Sequence, residues 1–539
     1  MRNHPAHSKP RRAPGHSPAN VLPGPRAAGH LPLIELSPRD NAVLHDQVYE
    51  AIRAQIVDRR LRPGSRLAST RVLASEIGLS RFTIVTAIER LLAEGYLLAR
   101  HGVGTFVADV LPEQLMRPHA APPKATSDPG RRALSPVLSA RGAALSAVVI
   151  TGPRFDRNEP RPFRPRRPAL DVFPIQIWAR LIRSHWRGYR HSYLDYGEPA
   201  GYKPLRQAIA EHVSVSRGVN CSPAQVIVTS GAQQAFDILF RLLLDPGDCA
   251  WIEEPGYLDV RASLTSAGAQ IVPVPVDAQG IDVAEGIRRG RTARLAVVSP
   301  SHQYPTGATL TAPRRAALVY WARSAGAWLV EDDYDSYFRY RGRPLSALQR
   351  LDDDSARETG NASRVLYVGT FSKTMFPSLR LGYCVVPETL VDAVANARAV
   401  ADRNSPIADQ AALAEFIRDG HYDRHLRRLK LVYQERYEAM HEAFGRRLAG
   451  AVSLGTAAAG THLLGWLSDQ VSRRREDASA AIRIARAAAA EDLVVFPLSR
   501  YCLEQPARDA LVLGYGSLSP RRIAAGTERL ARMIDRRSL

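Results

Sequence analysis

Val365-Leu-Tyr-Val-Gly-Thr-Phe-Ser-Lys373-Thr-Met-Phe-Pro-Ser-Leu-Arg380-Leu-Gly-Tyr383 decides how the rest of the chain is read. Val365 to Val368 is a short apolar and β-branched run, the pattern of a buried strand. The run ends in Gly369-Thr370-Phe371-Ser372, and then comes a lysine. Lysine is scarce here: Lys9, Lys124, Lys203, Lys373 and Lys430 are all there is in a chain with 73 Lys+Arg. An amine placed where a strand meets a small-residue turn can lose its hydration. That lowers its pKa and frees its lone pair to attack a carbonyl. Arginine cannot do this, because it stays protonated. Thr370, Ser372 and Arg380 add hydroxyls and a fixed positive charge, which suit a phosphate monoester. For this segment alone, a strand followed by an ordinary surface lysine is the plain alternative.

On either side of this stretch, from about Ala169, apolar strands alternate with helical patterns, as in an α/β domain with a largely parallel sheet. The strand Val226–Thr229 runs into Ser230-Gly231-Ala232-Gln233-Gln234 and a helix from Ala235 to Leu244. Such a turn is a ready anion site, since unpaired N–H groups and the helix dipole face the ligand. Glu253-Glu-Pro-Gly-Tyr257 follows another short strand. The strand Leu295–Ser299 leads to Pro300-Ser-His-Gln-Tyr-Pro-Thr-Gly307. Trp328-Leu-Val-Glu-Asp332-Asp333-Tyr334-Asp335 ends in crowded carboxylates. These could hold Mg²⁺, but no phosphate-transfer motif accompanies them and no metal site is expected. A smaller C-terminal α+β region follows, containing Phe496-Pro-Leu-Ser-Arg500-Tyr501.

The N-terminal part reads differently. Leu44, Val48, Ile52, Ile56 and Val57 lie at helical spacing. A second helix is expected from a Thr70 cap to Ile77, with Val72, Leu73 and Ile77 inward. Gly78-Leu79-Ser80 is a tight turn, and Ser80 is a good N-cap for a third helix from Arg81 to about Glu94. On that helix Ile84, Ala87, Ile88 and Leu91 face the core, leaving Arg81, Phe82, Val85, Thr86 and Arg90 outside. Two short strands follow, joined at His101-Gly102-Val103-Gly104. Three helices and a β-wing are the order of a winged helix-turn-helix, whose third helix enters the DNA major groove.

The net charge of +20 is unevenly spread. Residues 1–170 hold 26 Lys+Arg against 13 Asp+Glu, whereas the remainder holds 47 against 40. That asymmetry fits a nucleic-acid module attached to a nearly neutral body. No apolar run approaches the ~20 residues that span a bilayer. The four cysteines, Cys221, Cys249, Cys384 and Cys502, form no CxxC pair, so free thiols in a reducing cytoplasm are expected. The organisation expected is a basic tail over 1–36, a winged helix over 37–108, a Pro/Arg-rich linker over 109–168 and the α/β body over 169–535. The linker includes Arg161-Pro-Phe-Arg-Pro-Arg-Arg-Pro168.

Taken together, these stretches resemble the MocR/GabR-type transcriptional regulators of the GntR family, in which a winged helix is fused to a fold-type I aminotransferase-like domain. The resemblance covers about residues 40–108 and 165–535. It implies pyridoxal 5′-phosphate (PLP) as cofactor, with Lys373 as the lysine that condenses with it. By the same resemblance Asp332 pairs the pyridine nitrogen, Tyr334 bonds the 3′-oxygen and Tyr257 stacks on the ring. Gly231, Ala232 and Gln233, with Thr370, Ser372 and Arg380, hold the phosphate. Asp333 or Asp335 could stand in for Asp332. Arg500 is expected to hold the carboxylate of an amino-compound effector. Arg71, Ser80, Arg81, Thr83 and Gly104 are expected at promoter DNA, and a homodimer in the cytoplasm is implied. Tyr304 stands where working aminotransferases commonly carry asparagine, which favours a regulator. A catalytically active aminotransferase carrying a DNA-binding module is the main alternative, and a cofactor-free scaffold the third.

Overall fold

The computed structural model describes residues 32, 43–110, 138–147, 161–188, 193–340, 342, 345–359, 362–457, 459–472 and 479–535. The chain divides into two units, residues 1–135 and 136–539. The expected basic tail, apart from Pro32, and most of the expected linker lie outside the described residues.

In the first unit, α1 (Leu44–Val57) buries Val48, Tyr49, Ile52 and Ile56, while Leu44 and Val57 at its ends are exposed. α2 (Thr70–Ile77) is capped by Ser69, one residue earlier than expected; the Ser69 hydroxyl accepts from the Val72 N–H at 3.4 Å. A helix of two turns has only a narrow inward row, so Leu73 is buried, Ile77 half-buried and Val72 exposed. α3 (Arg81–Ala93) is capped by Ser80, whose hydroxyl accepts from the Thr83 N–H at 3.1 Å. Its inward row of Ile84, Ala87, Ile88 and Leu91 is buried as expected. β1 (Leu97–Arg100) and β2 (Gly104–Val107) pair antiparallel, with Arg100 opposite Gly104. Burial of each of these large apolar side chains contributes roughly 1.5–3 kcal/mol. That is what fixes so small a unit.

The second unit is built on an eight-stranded sheet of β3 (Val226–Thr229), β4 (Cys249–Glu254), β5 (Gln270–Asp277), β6 (Gly280–Ile281), β7 (Leu295–Val298), β8 (Trp328–Asp333), β9 (Val365–Thr370) and β10 (Gly382–Val385). The strand order is β3-β10-β9-β8-β7-β4-β5-β6. The inner run from β9 to β5 is parallel, whereas β10 is antiparallel to both β9 and β3. Apolar layers cover both faces: Phe236, Leu239 and Leu264 lie in one core, Leu205, Val213 and Tyr367 in another. Residues buried on both sides explain why these strands read as unbroken apolar runs. A second sheet joins β11 (Val452–Leu454), β12 (His462–Leu467), β14 (Ala510–Gly514) and β13 (Phe496–Pro497), all antiparallel.

The expected linker ends earlier than residue 168. A helix over Ala140–Ser146 belongs to the second unit, and Arg161–Pro168 is a strap sewn into it. Phe163 is fully buried against Phe444, with ring centroids 6.0 Å apart. The Pro162 carbonyl accepts from the Val494 N–H at 2.9 Å, and the Phe163 carbonyl from the Gly514 N–H at 2.8 Å. Proline removes donors but leaves carbonyls, so this strap docks through its oxygens and one aromatic anchor. A Pro/Arg-rich composition hides that arrangement from any periodicity.

Candidate functional site

The C-terminal ends of the parallel strands are where ligands bind in such sheets, and a cavity of about 640 Å³ opens there. β9 delivers Thr370, and the turn after it delivers Ser372 and Lys373. The Thr370 hydroxyl accepts from the Ser372 N–H at 3.2 Å, which tightens that turn. Desolvation, reinforced by the Arg166 guanidinium, pushes the Lys373 ammonium down from 10.5 to about 7. Its Nζ donates to the Arg166 carbonyl at 2.6 Å.

β3 ends in the turn that starts the helix Ala232–Leu243, which begins three residues before the sequence places it. Gly231 is its N-cap and offers no side chain, so the first N–H groups remain unused by a side-chain acceptor. Gly231 has φ of +102°, and a Cβ there would sit 3.2 Å from an Arg380 nitrogen. Arg380 itself donates to the Ser230 carbonyl at 2.8 Å and so leans over the same turn. Gln233 donates to Ser263 Oγ at 2.7 Å, while its Oε1 is buried without a hydrogen-bond partner among the described residues. A helix N-terminus, a guanidinium and two hydroxyls at one end of the cavity form an anion cradle.

At the other end the three crowded carboxylates separate by direction. Asp333 is spent on Arg217 at 2.7 Å and on the Tyr367 hydroxyl. Asp335 faces His302 Nδ1 at 2.9 Å. Of the three, Asp332 alone lines the cavity. Burial, with Asp333, Glu253 and Asp335 nearby, pushes the Asp332 carboxyl up from 3.8 to about 8. The Arg166 charge only partly offsets this rise, and a pyridinium nitrogen would supply a closer counter-cation. Tyr257 and Tyr334 line the same cavity, Tyr334 with its hydroxyl 3.0 Å from His302 Nδ1. Arg500 lines it too, its guanidinium 5.0 Å from the Phe496 ring centroid. Tyr304, buried, lines it as well, and its hydroxyl donates to the Tyr501 hydroxyl at 3.0 Å.

The geometry therefore brings together Lys373, Asp332, Tyr334, Tyr257, Ala232, Gln233, Thr370, Ser372, Arg380 and Arg500 around one cavity, with Gly231 at its rim. It also brings in residues to which the sequence assigns no role, beside Asp335, which it offered only as a stand-in for Asp332. Arg166 enters from the strap, with Arg164 and Arg167 beside it. Asp259 accepts from the Tyr257 hydroxyl and from Arg166. His302, Asp335 and His462 form a buried cluster whose ligating atoms lie within 4.8 Å of one another. The lone Phe163 in a Pro/Arg run was the one available signal for the strap.

In the first unit, Arg71 and Arg81 are exposed on the first turns of α2 and α3, next to the exposed Ser80 cap. Thr83 is half-buried, its hydroxyl 2.8 Å from that of Ser80. Gly104 has φ of +137°, and a Cβ there would lie 2.7 Å from Arg66 Nε. The wing needs glycine at that point.

Residues 44–107 match the bacterial regulatory proteins of the gntR family, and residues 170–483 match aminotransferase class I and II. The chain is 39% identical over 489 residues to the probable rhizopine catabolism regulatory protein MocR of Rhizobium meliloti, spanning 90% of this chain and 93% of the relative. This chain belongs to the MocR-type GntR regulators. Like them it is a DNA-binding transcriptional regulator with an aminotransferase-like body. It is also 31% identical to the HTH-type transcriptional regulator TauR of Rhodobacter capsulatus, over 93% of this chain and 98% of the relative. Among solved structures, the body resembles the α-aminoadipate aminotransferase LysN of Thermus thermophilus, with a TM-score of 0.62 and 28% identity, over 69% of this chain and 91% of that one. No helix among the described residues is long and apolar enough to cross a membrane.

Proposed function

We propose that the body binds PLP and that the regulator senses PLP itself, or an amino compound condensed with it, through that site. The observation that carries this reading is the convergence of an anion cradle, a depressed lysine and a buried carboxylate on one cavity of cofactor size. Bound there, PLP supplies an aldehyde that condenses with an amine, releasing water, and a ring that withdraws electrons. The Lys373 amine is the nucleophile, and its lowered pKa keeps a large share neutral near pH 7. The N–H groups of Ala232 and Gln233, with Thr370, Ser372 and Arg380, take the phosphate. Asp332 faces the ring nitrogen, Tyr334 the 3′-oxygen and Tyr257 the ring face. Arg500 offers a bidentate partner to an effector carboxylate.

In the first unit, Arg71, Ser80, Arg81 and Thr83 contact DNA from the helix N-termini, and Gly104 lets the wing approach. The effector is given by its chemistry: a primary amine, able to condense with the same aldehyde as Lys373. A homodimer would carry two DNA modules onto paired half-sites. The test is titration of the full chain with PLP, followed by absorbance. A saturable band in the visible that is lost in Lys373→Ala, and that a primary amine alters, is the expected result. A band that survives in Lys373→Ala, or no band at all, rejects it. A second reading, sustained transamination, has the same equipment and is separated by measuring keto-acid turnover.

A further inference from the structure

Arg166 lies at the apex of the strap, inside the cavity, and no part of the reading above uses it. Its guanidinium carbon is 4.2 Å from the centroid of the Tyr257 ring and 5.9 Å from that of Tyr304. Its Nη2 bonds the Tyr257 hydroxyl and lies 3.3 Å from Asp259 Oδ2. Its carbonyl accepts from Lys373 Nζ at 2.6 Å. The residue adopts φ of +69°, in the left-handed region that side chains with a Cβ rarely occupy. The strap holds it there from both sides: Phe163 is buried before it, and after it the Ala169 N–H donates to the Tyr433 hydroxyl at 3.0 Å. A costly backbone conformation kept by an over-determined setting calls for a functional account.

A guanidinium is a planar, delocalised cation that stacks on aromatic faces. A protonated pyridine ring is also a planar cation. Tyr257, the ring on which Arg166 rests, is the one assigned to the cofactor, and the charge on Arg166 is felt at Asp332. We propose that Arg166 is a self-ligand: in the unliganded protein its guanidinium fills the slot of the cofactor ring, and PLP binds by displacing it. This rests on the PLP reading above. The apparent affinity for PLP is the intrinsic affinity multiplied by the fraction of molecules in which Arg166 is out of the slot. Displacement frees the Arg166 guanidinium from Tyr257 and Asp259.

Simple electrostatics and slot competition make opposite predictions. PLP carries a phosphate dianion, so removal of a nearby arginine should weaken its binding if charge alone matters. If Arg166 fills the slot, its removal should tighten binding. The experiment measures the PLP dissociation constant of the full-length wild type, Arg166→Gly and Arg166→Lys by protein-fluorescence quenching and absorbance. Glycine suits the φ of +69°, and lysine keeps the charge but loses the planar stack. The expected result is PLP binding about tenfold or more tighter in Arg166→Gly, with Arg166→Lys between it and wild type. Pyridoxal, which has the ring without the phosphate, should gain by the same factor. Equal or weaker PLP binding in Arg166→Gly overturns the proposal while leaving the PLP reading intact. Failure of every protein, Arg166→Gly included, to bind PLP overturns both.

Discussion

Lys373 and Asp332 are each held away from their ordinary charge state, in opposite chemical senses. Lys373 is depressed to about 7, so the neutral amine that condensation needs accumulates as pH rises through that value. The rate at which PLP adds visible absorbance should therefore climb through about pH 7 and level off above it. A rate still climbing toward 10.5, the ordinary lysine value, would contradict a desolvated amine. Asp332 is raised from 3.8 to about 8. Between those values the folded, unliganded protein binds a proton that the unfolded chain releases, so this residue costs stability increasingly as pH rises across the window. Asp332→Asn should stabilise the unliganded protein at pH 7 by on the order of 1–3 kcal/mol, with the gain vanishing as pH falls toward 3.8. The same change should weaken PLP binding, and calorimetry with and without PLP reads both. Lys373 and Asp332 were legible as residues at the ends of buried apolar strand runs, a local signal. Arg166, His302 and His462 were not, because their partners come from remote strands and from a strap. Nothing local in the sequence marks those encounters.

At the scale of elements, the winged helix was read almost residue by residue, since caps and helical spacing are local signals. Ser80→Ala should cost the first unit about 1 kcal/mol, read as a lower denaturant midpoint. A midpoint unchanged within error would mean that α3 does not depend on its cap. The parallel run of the large sheet was equally legible, as buried apolar strands alternating with helices. The antiparallel insertion of β10 between β3 and β9 was not, because pairing direction is settled by the path of the chain and not by composition. The strap was the largest miss. Its proline content argues for an extended linker, and only docking against Phe444, Val494 and Gly514 makes it part of the core. Phe163→Ala should accordingly destabilise the second unit by about 3–5 kcal/mol, as an emptied aromatic core position does. An effect near zero would return residues 161–168 to the linker.

At the scale of the whole molecule, the positive excess is concentrated in the first 170 residues, where 26 Lys+Arg face 13 Asp+Glu. DNA affinity should thus fall steeply with salt, and Arg71→Ala or Arg81→Ala should each reduce the salt slope by about one if it meets a phosphate. The bond between the two functions is the central claim, since a regulator that reads PLP must let the body change what the winged helix does. A ligand shifts such an equilibrium only by its difference in affinity for the two states. The most direct measurement is fluorescence anisotropy of the full chain on the DNA upstream of its own coding region, at fixed salt, with and without PLP, and with Lys373→Ala as control. Sequence-selective binding whose affinity PLP changes in the wild type and leaves unchanged in Lys373→Ala is the predicted result. Selective binding that PLP alters equally in both proteins, or in neither, would contradict it.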